Sequence, residues 1–189
     1  RMSDSWRARR DGRVRPGAAG CWGCNRRQAL LMYLYKAIIF DWENCLAQSR
    51  QHPVRLADGA QELIDQLHAD EVKLAILTNG QPSLLTRYDG FANVKPLFSA
   101  IVTANDVERY KPHPEGIEKI MQLLNVSPEE TLMIGDAESD IIAARTAGVD
   151  AALYLGDENA AYYQDQAITE LNPTYTLRTF SELIDLIKI

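Results

Sequence analysis

Apolar residues recur along this chain in short unbroken runs separated by segments of helical period. The runs lie at 35–41, 72–78, 98–103, 131–136 and 151–155. Continuous apolar stretches of that length suit strands buried on both faces of a parallel sheet. Between and after them, Ala60, Leu63, Ile64 and Leu67 fall at i, i+3, i+4, i+7. So do Ile117, Ile120, Met121 and Leu124, and again Phe180, Leu183, Ile184 and Ile187. Each set makes one apolar helix face. Asp58 with Gln61, and Thr179 with Glu182, read as capping boxes at two helix starts. Alternating strands and helices predict an α/β, doubly wound, Rossmann-like three-layer fold with a parallel central sheet. In such a sheet ligands bind beyond the carboxyl ends of the strands. The polar residues closing the apolar runs are therefore the ones to inspect: Asp41, Thr78 with Asn79, and Asp136.

Residues 1–31 carry no such period and are expected to be a poorly ordered basic leader, non-native or an upstream extension, with a transit peptide as the alternative. Residues 32–189 are expected to form one domain. Cys21 and Cys24 form a Cys-x-x-Cys pair, but no second pair or His pair follows to complete a zinc site.

Charge sharpens the division. Residues 1–31 hold eight Arg against Asp4 and Asp11, whereas 32–189 hold twelve Lys and Arg against 24 Asp and Glu. An acidic body argues against a nucleic-acid partner. No run of about 18 apolar residues exists, which argues against a membrane span. Three cysteines and no secretory signal make the cytoplasm the expected location.

An acidic residue closing a buried strand is hard to dismiss as solvated surface. If Asp41 and Asp136 end neighbouring strands, with Asp140 in the next helical turn, carboxylates converge. Two such charges about 4 Å apart repel by roughly 4 kcal/mol at an effective dielectric of 20. Oxygen-only donors of this kind favour Mg²⁺.

These residues fall in four motifs: Asp41-Trp42-Glu43-Asn44-Cys45-Leu46; Leu77-Thr78-Asn79-Gly80; Lys111-Pro112-His113-Pro114; and Gly135-Asp136-Ala137-Glu138-Ser139-Asp140. In this order and spacing the chain resembles the haloacid dehalogenase-like hydrolase superfamily, and Ile141 to Gly148 looks like its phosphoglycolate-phosphatase-like branch. The resemblance implies a Mg²⁺-dependent phosphatase acting on a phosphomonoester. Asp41 would be the nucleophile forming an aspartyl-phosphate. Glu43 would be the acid/base and would offer its backbone carbonyl to the metal. Thr78, Asn79 and Lys111 would meet the phosphate. Asp41, Glu43, Asp136 and Asp140 would form the metal centre, Asp140 supporting its water shell or orienting Lys111.

The chain departs from the family's Asp-x-Asp-Gly-Thr at three places. Glu43 reaches one methylene further than Asp. Asn44 replaces Gly and tolerates a left-handed backbone. Cys45 replaces Thr and reads as a buried small side chain, as Trp42 reads as packing. The alternative is thus a weak or inactive phosphate- and metal-binding relative. A dehalogenase, sharing the Asp nucleophile, fits the acids at 43, 136 and 140 least well.

Asp41 to Thr78 is 37 residues and Thr78 to Lys111 is 33, so no sizeable cap domain is expected. The 47–57 loop would be the local lid. Its Arg50 and Arg55 either touch an anionic substrate or are simply solvated. A site this open suits a small phosphorylated substrate, with a neighbouring subunit of a homo-oligomer as its cover. His52, His68 and His113 show no ligand spacing, and Tyr162 and Tyr163 either line the site or pack a loop.

Overall fold

A computed structural model of the chain describes residues 33–156, 159–160 and 165–188. Cys21, Cys24, Tyr162 and Tyr163 lie outside the described residues, as does the 1–31 segment.

The apolar runs form the strands of one sheet. In chain order these are β1 (Ala37–Phe40), β4 (Lys73–Leu77), β5 (Ala100–Val102), β6 (Thr131–Gly135), β7 (Asp150–Tyr154) and β8 (Tyr175–Leu177). They pair throughout in parallel, in the spatial order β5-β4-β1-β6-β7-β8. A short antiparallel hairpin, β2 (Ala47–Gln48) with β3 (Arg55–Leu56), stands apart from the sheet. The helices are α1 (Ala60–Ala69), α2 (Pro82–Leu85), α3 (Phe91–Val94), α4 (Glu115–Leu124), α5 (Glu138–Thr146), α6 (Asp165–Leu171) and α7 (Ser181–Ile187).

Alternate residues of each strand feed opposite faces, so one sheet serves two cores. Ile38, Phe40, Leu74, Ile76, Leu132 and Ile134 pack with Leu63, Ile64 and Leu67 of α1 and Leu183 and Ile187 of α7. Ile39, Ala75, Leu77 and Met133 pack with Ile117, Ile120 and Met121 of α4 and Ile141 and Ala144 of α5. The three expected layers follow. No described helix is long and apolar enough to cross a membrane.

From β1 the chain moves one way to β4 and β5, then crosses back to β6, β7 and β8 on the other side. The switch point lies between β1 and β6, which pair from Ala37↔Thr131 to Phe40↔Ile134. Asp41 therefore leaves the sheet one step beyond that last pair, in the crevice where the fold opens for a ligand.

Three local expectations differ from the structure. α1 starts after Gly59 with no side-chain cap bond; Gln61 Nε2 instead donates to Asp65 Oδ1 at 3.0 Å, one turn further on. At α7, Glu182 accepts from the Arg178 N–H at 3.0 Å, one residue before the expected cap, while Thr179 Oγ1 pairs with Ser181 Oγ at 2.9 Å. In both places the side chain takes a different partner. The 47–57 loop is also partly ordered, as the β2–β3 hairpin. Among the described residues no second domain is inserted before or after β4.

Candidate active site

The four motifs meet at the carboxyl ends of β1, β4 and β6. Asp41 is fixed at its backbone by donating to the Ile134 carbonyl at 2.8 Å, which carries the β1–β6 pairing one residue further. Lys111 arrives from the loop before α4. Its Nζ donates to Asp41 Oδ1 at 2.5 Å and to the Leu77 carbonyl at 2.9 Å, and lies 2.6 Å from Asp140 Oδ1 as an ion pair. An ammonium has three protons, and these three oxygens surround it. The Lys111 side chain is only 3% exposed.

Asp140 is seated by its own loop. Its Oδ2 accepts from the Ala137 N–H at 3.0 Å, the reciprocal half of a capping box at the start of α5. Gly135 makes room for it, since a Cβ there would run into the Asp140 carboxylate. Asp136 is partly exposed. Asp41, Asp136 and Asp140 can each offer an oxygen such that all three lie within 4.8 Å of one another.

The electrostatics are those of an acidic cluster gathered about the buried Lys111 ammonium. Burial pushes the Asp41 carboxyl well above the usual range; Lys111 pulls it down and Asp140 pushes it up again. Burial, and then Asp140, raise Asp136 to about 7. Burial lowers Lys111, but Asp140 and Asp41 more than reverse this, so its proton is held more tightly than in water. Three carboxylates around one ammonium, all donors oxygen, match a hard divalent cation. The residues present therefore fit magnesium.

Glu43 takes a different position from Asp41. It forms an isolated bridge with Ala47, and its Oε2 accepts a very short hydrogen bond from Thr78 Oγ1. Its Oε1 is buried with no hydrogen-bond partner among the described residues and lies against Gly80, where a Cβ would collide with it. Thr78 Oγ1 also accepts from the Gly80 N–H at 2.8 Å. The hydroxyl expected to meet phosphate thus donates to Glu43 here.

Asn79, expected at the substrate, is engaged elsewhere. Its Nδ2 donates to the Lys111 carbonyl at 2.8 Å and its Oδ1 accepts from the Lys111 N–H at 2.9 Å. Both ends of the amide hold the Lys111 backbone, which tethers β4 to the loop carrying the buried ammonium.

The departures in the first motif have structural explanations. Asn44 has φ 60°, a left-handed backbone that Asn accepts at low cost. Cys45 is buried, and burial together with the neighbouring carboxylates pushes its thiol up, so it packs rather than reacts. Trp42 is buried with its ring 5.3 Å from Phe91, edge to face. His113 Nδ1 accepts from the Glu115 N–H at 3.2 Å, a local turn contact.

Two contributors carried no periodic or motif signal. Asn159 is buried and donates to the Asn44 carbonyl at 2.7 Å, across 115 residues of sequence. Arg50 acts electrostatically on Asp136, favouring its ionised form.

Comparison with known proteins agrees with this arrangement. The haloacid dehalogenase-like hydrolase family profile matches residues 26–154. The pyrophosphatase PpaX of Halalkalibacterium halodurans is 32% identical over 132 residues, covering 70% of this chain and 60% of that protein. The chain thus spans about 60% of the length of the curated relative it matches. A subfamily IA hydrolase structure of the same superfamily, from Geobacter sulfurreducens, superposes with a TM-score of 0.68 at 20% identity, covering 82% of this chain and 97% of the other. A hydrolase of the family from Deinococcus radiodurans, with bound phosphate and sodium, gives 0.69 at 19% identity, covering 80% and 94%. By sequence profile and fold together, the chain belongs to the haloacid dehalogenase-like hydrolase family.

Proposed function

We propose that the chain is a magnesium-dependent phosphatase that acts through a covalent intermediate on Asp41. The observation that carries this reading is the convergence of Asp41, Lys111, Asp136 and Asp140 at the switch point of the sheet. With Oδ1 held by Lys111, Asp41 Oδ2 is the oxygen assigned to attack phosphorus. The new Oδ2–P bond forms as the P–O bond to the leaving group breaks, and Glu43 donates the proton that the leaving oxygen takes up. Glu43 then accepts a proton from the water that cleaves the aspartyl-phosphate. Lys111 favours the ionised form of Asp41 against the burial that raises it, and faces the charge on the transferring group. Asp41, Asp136 and the Glu43 backbone carbonyl would hold the magnesium ion, with Asp140 in support. The ion would neutralise charge between the carboxylate nucleophile and the phosphate.

A small phosphorylated metabolite in the cytoplasm is the substrate class we assign to a site with no cap domain among the described residues, with a second copy of the chain as its cover. The functional unit would be 32–189.

The test is hydrolysis of 4-nitrophenyl phosphate by wild type and Asp41→Asn, with and without Mg²⁺. The expected result is metal-dependent turnover in the wild type alone; equal rates in the two proteins reject the reading.

One observation favours a second reading, a weak or silent relative: Glu43 and Thr78 satisfy each other. On that reading Glu43→Asp, one methylene shorter, frees Thr78 and raises turnover from near zero. High turnover in the wild type rules it out.

A further inference from the structure

The hydroxyl assigned to the reacting phosphoryl group is already held by an anion of the chain itself. Thr78 Oγ1 donates to Glu43 Oε2 and accepts from the Gly80 N–H at 2.8 Å. A hydroxyl has a single proton to donate, and here Glu43 takes it. The other oxygen, Oε1, fills the space over Gly80 that a Cβ would need. The Glu43 carboxylate thus sits where a phosphoryl oxygen bonded to Thr78 would have to sit. Both are anionic oxygens, and one proton serves one of them at a time.

The hold on Glu43 is one-sided. Oε1 is buried with no hydrogen-bond partner among the described residues, and an unpaired buried acceptor costs free energy. The backbone on either side is pinned. The Asn44 N–H donates to the Ala47 carbonyl at 2.7 Å, the Ala47 N–H to the Trp42 carbonyl at 2.8 Å, and the Leu46 N–H to the Asp41 carbonyl at 3.3 Å. Release of Thr78 therefore requires only that the Glu43 side chain change rotamer, with Asp41 left in place.

We propose that Glu43 is an internal stand-in for substrate: its carboxylate holds the Thr78 hydroxyl against small anions, and a phosphoryl group that takes this hydroxyl turns Glu43 off Thr78 and frees it to serve the leaving oxygen. This rests on the phosphatase reading above and deepens it, because substrate binding and release of the acid become one event. A latch differs from a silent site in that substrate opens it.

The experiment is calorimetric binding of inorganic phosphate to the full chain with magnesium present. The proteins are wild type, Glu43→Asp and Glu43→Gln. The Glu43 contact assigned to magnesium is the backbone carbonyl, which both variants keep. Glu43→Asp retains the charge and loses the reach, so it is expected to bind phosphate about tenfold more tightly, about 1.4 kcal/mol. Unchanged or weaker binding in Glu43→Asp overturns the inference. So does tightening confined to Glu43→Gln, which is relief of charge repulsion alone, and so does a failure of phosphate to bind any of the three. A second measurement needs no variant: a crystal structure of the wild type with bound tungstate. Thr78 Oγ1 is expected on the tungstate with Glu43 turned away; Glu43 still on Thr78 beside the bound anion overturns the inference. Neither measurement needs turnover, so both are independent of the Asp41→Asn assay, which tests the phosphatase reading itself.

Discussion

The ammonium of Lys111 lies 2.5 Å from Asp41 Oδ1 although 70 residues separate them in the chain, and Asn79, next to the end of β4, grips the Lys111 backbone from both sides. The carboxylate, the cation and the clamp thus come from three different motifs. Lys111 favours the ionised form of the buried Asp41, and Asn79 holds the backbone that carries Lys111.

Asn79→Ala should separate the clamp from the charge. Two hydrogen bonds to buried backbone are lost, at about 1 kcal/mol each, so chemical denaturation should show a fall of roughly 2 kcal/mol. The backbone that carries the ammonium loses its clamp, and kcat on 4-nitrophenyl phosphate should fall about tenfold with KM little changed. Lys111→Met removes the charge itself and should cost about 10²–10³ in kcat.

Magnesium should stabilise the folded chain. At 100 times Kd, a ligand that binds only the native state adds about 2.7 kcal/mol, visible as a rise in Tm with added Mg²⁺. Asp136→Asn should keep the fold, because Asp136 is partly exposed at the edge of the sheet, and should lose most of that rise.

Gly135→Ala should damage the site through Asp140. The new Cβ occupies the place of the Asp140 carboxylate, so either the α5 start or the β6 end must shift. Overpacking of this kind costs about 1–3 kcal/mol. A lower Tm with a weakened magnesium response is expected; an unchanged Tm would contradict the close approach.

A pH dependence away from the site follows from Asp106. Thr103 donates to its carboxylate from Oγ1 at 2.7 Å and from N–H at 2.8 Å, and these bonds hold Asp106 below its usual value of 3.8. A depressed carboxylate contributes stability that is present above the unfolded pKa and disappears as pH falls through the folded one. The Tm difference between wild type and Asp106→Asn should therefore be steady from pH 5 to 7 and shrink below about 3.8.

Much of this was legible in the sequence because buried parallel strands are unbroken apolar runs, and a polar residue that ends one is conspicuous. Asp41, Thr78 and Asp136 were found that way, and the sheet brings them together. β8 escaped notice because Tyr175, Thr176 and Leu177 are too few to form a pattern, and the two-residue strands of the hairpin are shorter still. Partner choice was less visible. An amide such as Asn79 binds ligand or backbone equally well, and only folding showed that Lys111 takes both its ends. Glu43 was legible as a carboxylate, but its extra methylene carries it to Thr78, a relation that depends on packing around Gly80. Asn159 sits 115 residues from the carbonyl it holds, beyond any local signal.

The ends of the 49–54 turn are held side by side by the Gln48↔Arg55 pair. A longer segment spliced in there would begin and finish at the same two neighbouring residues, whatever its length. Closing it would cost only about 0.6 kcal/mol more for each doubling. The backbone bonds from Leu46 to Asp41 and from Ala47 to Trp42 lie outside such a segment, so the loop that carries Asp41 would keep its footing whatever was spliced in.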